Sequence, residues 1–161
     1  MRVGIGYDAH RLTRGRSLVL GGVKITFDKG LEGWSDADVL LHAIMDALLG
    51  AAAMGDIGVH FPPNDPAYKD ISSLTLLNRV GAMLKAQEWR IGNIDATIIA
   101  ERPLLKPFIS QMKQKIGQAL SIEEKQIGIK ATTSEGMGFT GRGEGIAACA
   151  VALIGKLDEN L

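Results

Sequence analysis

Residues 35–56, SDADVLLHAIMDALLGAAAMGD, constrain the fold more than any other stretch of the chain. Alanine, leucine and methionine favour helix, and this is the clearest helix in the sequence. Ser35 or Asp36 can cap its start, and Gly55 can end it. Around it the pattern changes period. Residues 2–10, RVGIGYDAH, read as a strand, and 17–27, SLVLGGVKITF, as a strand pair broken at Gly21-Gly22. Leu74, Leu77, Val80 and Leu84 give 71–89 helical spacing. Residues 91–100 and 125–133 read as strands, and 106–120 as a helix with Pro107 near its start. A Gly-rich loop, SEGMGFTGRGEG, fills 134–145. Residues 146–157, IAACAVALIGKL, are ambiguous: alanine favours helix, while the compact apolar run suits a buried strand. There are no repeats, low-complexity tracts or linkers. An α+β fold is expected, and 161 residues suit one domain over 1–161.

Charge and cysteine content narrow the setting. Lys plus Arg equals Asp plus Glu at 18 each, so no long-range field draws the chain toward nucleic acid or an anionic membrane. The single cysteine, Cys149, allows no disulfide within the chain and reads as a small core residue, which suits a reducing compartment. The N-terminus has no apolar signal core, and no run reaches the roughly 18 apolar residues of a membrane helix. A soluble cytoplasmic protein without nucleic-acid or membrane partners is expected.

The strand 2–10 ends in Asp8, Ala9 and His10. Residues two apart in a strand point the same way, so Asp8 and His10 share a face. His42 lies in the middle of the 35–56 helix, with Asp38 and Asp46 four residues to either side on one helix face. Two histidines and one carboxylate leave a fourth position open in a tetrahedral zinc site, the pattern of a catalytic metal. Asp8, His10 and His42 can supply that set if the helix packs near the strand end. Asp46 can then orient His42 through its other ring nitrogen. The competing reading is a chance D-x-H beside a packed helix histidine.

Two glycine patterns compete for attention. GIGYDA (4–9) matches a dinucleotide fingerprint, but that motif must open a helix, and the residues that follow soon turn strand-like. GEGIAA (143–148) matches as well, yet follows a loop instead of a strand, and no Walker sequence is present. The stretch ATTSEGMGFTGRGEG (131–145) is more informative. Thr132, Thr133 and Ser134 offer hydroxyl and backbone donors, and the glycines permit an anion nest. Glu135 would repel a phosphate unless a divalent cation lay between them, which hints at Mg²⁺ or Mn²⁺. A plain Gly-rich hairpin loop is the alternative.

GYDAH, SDADVLLHAIMDALLGAAAMGDIG, FPPNDPAYK, IDATIIAERPLLKP and KATTSEGMGFTGRGEGIA occur in this order over nearly the whole chain. The set resembles the 2-C-methyl-D-erythritol 2,4-cyclodiphosphate synthases of the non-mevalonate isoprenoid pathway. The resemblance implies an α+β subunit with a small mixed β-sheet and helices packed on one side, a strand at 146–157, and a homotrimer with active sites between subunits. It implies zinc on Asp8, His10 and His42, and magnesium or manganese on Glu135. It implies that the methylerythritol phosphate lies near Ser35, Asp56, Ile57 and Gly58, with Phe61, Pro62, Pro63, Asn64 and Asp65 nearby, and that Asp8, His10 and Trp34 also contact the substrate. The cytidine would lie against Ala100, Glu101, Arg102, Pro103, Leu104, Leu105 and Lys106. Thr132 and Thr133 would hold the diphosphate and Ser134 would also contact the substrate, with Thr133 and the residue at position 34 as catalytic candidates. A cavity on the threefold axis near Phe139, Arg142 and Glu144 would accept isoprenoid diphosphates; an Arg142–Glu144 ion pair is the simpler reading of two of these. Two positions depart from the family: Trp34 stands in place of the usual His, and Pro63 where Asp is common. An indole donates one N–H and does not titrate.

The implied reaction is metal-assisted cyclisation of 4-diphosphocytidyl-2-C-methyl-D-erythritol 2-phosphate with release of CMP. A zinc-dependent phosphohydrolase and a non-catalytic trimeric diphosphate binder are the alternatives that the bare motifs leave open.

Overall fold

The computed structural model describes residues 1–156. In chain order they form β1 (Arg2–Thr13), β2 (Leu18–Leu20), β3 (Val23–Ile25), β4 (Gly30–Leu31), α1 (Val39–Ala51), the single turn α2 (Ile57–His60), α3 (Ser73–Ala86), β5 (Trp89–Ile99), α4 (Ile109–Leu120), β6 (Ile127–Thr132), the single turn α5 (Gly138–Gly141) and β7 (Gly145–Lys156). Five strands make a mixed sheet in the order β4-β1-β7-β5-β6. The β5–β6 pair is parallel and the other neighbours are antiparallel. The β2–β3 hairpin stands apart and turns at Gly21-Gly22, as the sequence predicts. The helices pack on one side of the sheet.

Residues 146–157 resolve as strand. β7 lies between β1 and β5, and Leu157, the last residue of the expected segment, falls outside the described residues. Its small residues have a packing cause. Ala148, Ala150 and Ala152 are buried, while Cys149 and Val151 between them are more open. On the neighbouring β1, a Cβ added to Gly4 would stand 2.0 Å from the carbonyl oxygen of Ala47, and one added to Gly6 would stand 2.0 Å from that of Ala43. The backbone of α1 therefore rests directly on the sheet, which only glycine and alanine permit at this spacing.

Helix α1 is shorter than its sequence pattern. It starts after Asp38 instead of Ser35 or Asp36, and ends at Ala51 before Gly55. Asp38 Oδ1 accepts from Leu41 N at 3.1 Å and Gly21 N at 3.0 Å, and Oδ2 accepts from Gly22 N at 2.7 Å. One buried carboxylate thus caps the helix and ties the β2–β3 turn to it. Burial, with the charge of Asp36, raises the Asp38 carboxyl to about 6 against the pull of those three N–H donors. A folded value above the ordinary one adds stability that is fully present below the ordinary carboxylate range and is lost as pH rises through about 6. Asp38→Asn does not titrate. In matched urea unfolding series, the stability difference between wild type and variant is expected to shift in favour of wild type as pH falls through that window. A difference that ignores pH would contradict this reading of Asp38.

On the opposite face of the sheet the β1–β7 part is apolar and exposed, while Asp95 and Lys130 farther along it form an ion pair. Val3, Ile5 and Tyr7 on β1 are 67%, 71% and 59% exposed, and Val151, which registers with Ile5, is 42% exposed.

Candidate active site

The end of β1 and the middle of α1 bring together the three residues that the sequence offers as metal ligands. Asp8 Oδ2 lies 2.8 Å from His10 Nε2 and 2.9 Å from His42 Nδ1, and the two ring nitrogens are 3.1 Å apart. The glycine contacts that seat α1 on β1 explain the meeting, because Gly6 and Asp8 share one strand face and Ala43 adjoins His42. A tetrahedral zinc with bonds of about 2.0–2.1 Å sets its donors roughly 3.3 Å apart. Two imidazole nitrogens and a carboxylate oxygen at nearly that separation fit such a cation. Burial alone would raise the Asp8 carboxyl, but its hydrogen-bonded contacts with His10 and His42 and the charge of those rings outweigh it and hold Asp8 well below the usual carboxylate range. Burial opposes the charged form of His10, yet the bond to Asp8, its charge and a backbone bond at Glu32 raise its pKa.

Asp46 does not orient His42 as the helix spacing suggests. With Nδ1 of His42 turned to Asp8, Nε2 points instead to Ser73 Oγ at 3.0 Å, with Ser35 Oγ at 3.3 Å. Asp46 Oδ1 accepts from Ile57 N at 2.8 Å and so anchors the start of α2. Burial raises its carboxyl against that bond.

A cavity of about 240 Å³ opens beside the three ligands. Among its lining residues are Trp34, Ser35, Ile57, Gly58, Phe61 and Pro63 from the expected set, joined by Tyr68 and Leu76. Asp56 does not line it but caps α2, whose Ile57 and Gly58 do, accepting from Val59 N at 3.1 Å. Pro62, Asn64 and Asp65 belong to the same loop but do not line the cavity. Trp34 closes this loop: its indole N–H donates to the Asp65 carbonyl at 2.8 Å, and its own carbonyl accepts from Asp70 N at 2.8 Å. Trp34→Phe removes the first bond, worth about 0.5–1.5 kcal/mol net. Amide exchange at Ala67 and Tyr68 is expected to quicken roughly two- to tenfold; unchanged exchange would mean that the indole does not hold the loop.

The second group of expected residues lies elsewhere on the chain. Thr132, at the end of β6, registers through Ile99 and Ala147 with Ala9, next to Asp8. Three strand spacings separate β6 from β1, roughly 14 Å at about 4.8 Å each. Residues 100–106 and 132–135 do not line the cavity beside the metal ligands. Thr133 Oγ1 donates to Glu135 Oε1 at 2.6 Å, and Glu135 sits at φ 50°, a strained conformation for a side chain of its size. The donors expected to cradle phosphate face a carboxylate here: Glu101 Oε1 accepts from Ser134 N at 2.8 Å and from Gly136 N at 3.4 Å. Ser134 Oγ pairs with Thr140 Oγ1 at 2.6 Å. Ala100 and Leu105 are buried, Arg102, Leu104 and Lys106 exposed, and Glu101 and Pro103 in between. Phe139 lines a separate hollow with His10 and Glu144. Arg142 is paired through Nε with Glu144 at 2.7 Å, in keeping with the ion-pair reading.

Sequence reasoning missed Ser73, Asp36, Tyr68 and Leu76, and gave the Glu101 side chain no partner. Ser73 opens α3, so its helix-start position was visible, but its proximity to His42 depends on how two distant elements pack.

Comparison with known proteins adds three findings. The model of the YgbB family matches residues 1–155. The 2-C-methyl-D-erythritol 2,4-cyclodiphosphate synthase of Clostridium perfringens is 58% identical over 156 residues, covering 97% of this chain and all of that protein. That of Syntrophomonas wolfei is 60% identical over 154 residues, 96% of this chain and 98% of its own length. Among solved structures, the bifunctional IspDF of Campylobacter jejuni superposes with a TM-score of 0.94 at 38% identity over 98% of this chain. This chain spans 42% of that longer protein. The IspF of Plasmodium falciparum in its CDP complex gives a TM-score of 0.84 at 32% identity, covering 96% of both chains.

Proposed function

The chain belongs to the YgbB family, and on that footing we propose that it performs the reaction for which its curated relatives are named, converting 4-diphosphocytidyl-2-C-methyl-D-erythritol 2-phosphate to 2-C-methyl-D-erythritol 2,4-cyclodiphosphate and CMP. It is a phosphorus–oxygen lyase of isoprenoid biosynthesis. We take residues 1–161 as one cyclodiphosphate synthase domain and place it in the cytoplasm. No helix among the described residues is long and apolar enough to cross a membrane.

The observation that carries the mechanism is the convergence of Asp8, His10 and His42 beside a cavity of substrate-fragment size. The 2-phosphate oxygen of the substrate attacks the β-phosphorus, the bond from that phosphorus to the bridging oxygen breaks, and CMP leaves with the electron pair. The nucleophile is already an anion, so no strong base is needed; the obstacles are charge repulsion and ring closure. Asp8, His10 and His42 would hold zinc and Glu135 magnesium or manganese, and these cations when bound neutralise phosphate charge and polarise phosphorus. Asp56, Ile57, Gly58 and Ser35 would receive the methylerythritol phosphate. Phe61, Pro63 and Trp34 would exclude water and fold the substrate arm back, an orientation effect worth several kcal/mol. Residues 100–106 would flank the cytidine, and Thr132, Thr133 and Ser134 the diphosphate, with Glu101 giving up its backbone donors to the incoming anion. CDP in the Plasmodium falciparum relative supports a cytidine nucleotide as ligand.

Two observations support a homotrimer with shared sites. The face carrying Val3, Ile5, Tyr7 and Val151 is too apolar to remain bare in water. The ligand cluster and the nucleotide residues also lie three strands apart on one chain, so a neighbour's nucleotide half can complete each metal half. The test follows CMP and the cyclic product together, starting from the cytidyl substrate. Equal amounts of both are expected. CMP without the ring would indicate a phosphohydrolase, and neither product a binder.

A further inference from the structure

We propose that Ser73 and Asp36 are positioning residues that hold His42 with its proton on Nε2, so that the Nδ1 lone pair faces Asp8 and His10. The inference deepens the metal-site reading above and rests on it. Its basis is a chain of hydrogen bonds whose direction is set by what each group can donate. Asp36 is a carboxylate and only accepts. It accepts from the Ser73 hydroxyl at 2.5 Å through Oδ1, from Ser73 N at 2.9 Å through Oδ2, and from Asp38 N at 3.2 Å. A hydroxyl has one proton, and that of Ser73 goes to Asp36. Ser73 Oγ is therefore left to accept from His42 Nε2, 3.0 Å away, while a cation held at Nδ1 takes the lone pair that faces Asp8. Ser73 is fully buried and has no water to turn to. Ser35 Oγ accepts from Ala37 N and, at 3.3 Å from the same nitrogen, is the longer of the two contacts to it.

The same contacts anchor the start of α3. Ser72 makes no side-chain cap bond, and the first backbone donor of the helix, Ser73 N, is taken by Asp36 instead. Asp36 N donates in turn to the Ile71 carbonyl at 3.1 Å. The turn before α1 and the start of α3 are locked together, and the ring of His42 is oriented by both. A hydrogen bond of this kind on the outer nitrogen fixes the tautomer of a ligating histidine and raises its basicity.

Heavy-nitrogen NMR of the histidine rings provides the test. It is run on metal-free protein at alkaline pH. Wild-type His42 is expected mainly as the Nε2–H form, and Ser73→Ala should shift it toward Nδ1–H, which donates to Asp8. In competition with a chelator, Ser73→Ala and Asp36→Asn should each bind zinc roughly 10- to 100-fold more weakly, with helix content retained. Ser73→Thr, which keeps the hydroxyl, should recover most of that affinity. A wild-type His42 that is mainly Nδ1–H overturns the proposal, as does a folded Ser73→Ala with wild-type ring signals and zinc affinity. The ring signals are read without zinc or substrate, so a wild type that makes no cyclic product would refute the synthase reading and leave this test standing.

Discussion

An equal mixture of Asp8→Asn and Thr133→Val chains, unfolded and refolded together, is expected to recover about a quarter of wild-type activity, although each variant alone is inactive. Asp8 belongs to the ligand cluster at the end of β1 and Thr133 to the loop after β6, and the two lie on opposite sides of a four-strand stretch of the sheet. In a closed ring each chain gives one half-site to each neighbour. Random assembly then joins an intact metal half to an intact nucleotide half at about one interface in four. Variants refolded separately and mixed afterwards should stay silent unless subunits exchange. Mixed trimers, demonstrated by mass, that recover nothing would place each site within one chain.

The second large effect is expected from His42→Ala. It removes one of three ligands, leaving Asp8 and His10 to face an open corner. Bound zinc should fall away, and turnover should drop at least about a thousandfold, the equivalent of about 4 kcal/mol of transition-state stabilisation. The fold should persist. Asp38 still caps α1, and Ala43 and Ala47 still seat it on Gly4 and Gly6. Circular dichroism and zinc content, measured on the same sample as activity, separate loss of metal from loss of structure. Metal-free wild type that turns over normally in chelator would defeat the assignment of these ligands.

Much of this was legible in the chain. The ligand triad was readable because alternation along β1 puts Asp8 and His10 on one face and His42 lies on the one unmistakable helix. Apolar patterning also marked α3 and β5, and the Gly21-Gly22 pair marked the β2–β3 turn. The alanine-rich run of β7 was not decidable from its own residues, since its small side chains answer to Gly4 and Gly6, which pair with Ala152 and Ala150 from the other end of the chain. The helix cap lies two or three residues beyond the expected Asp36 or Ser35, because Asp38 is selected by its bonds to Gly21 and Gly22, not by helix propensity. Asp46 looked like the partner of His42 on a helical wheel, yet ring orientation is set by Ser73 from another helix. Local spacing finds donors on one element; which donor faces which ring nitrogen depends on packing between elements.

In the proposed reaction, phosphorus is attacked from within the substrate. Turnover in heavy-oxygen water tests it most directly, with both products weighed by mass spectrometry. Intramolecular cyclisation forms its new P–O bond from the substrate's own 2-phosphate, so neither CMP nor the cyclic diphosphate should gain a solvent oxygen. One heavy oxygen in either product, with CMP released and no ring formed, would mean that water is the nucleophile and would contradict the account.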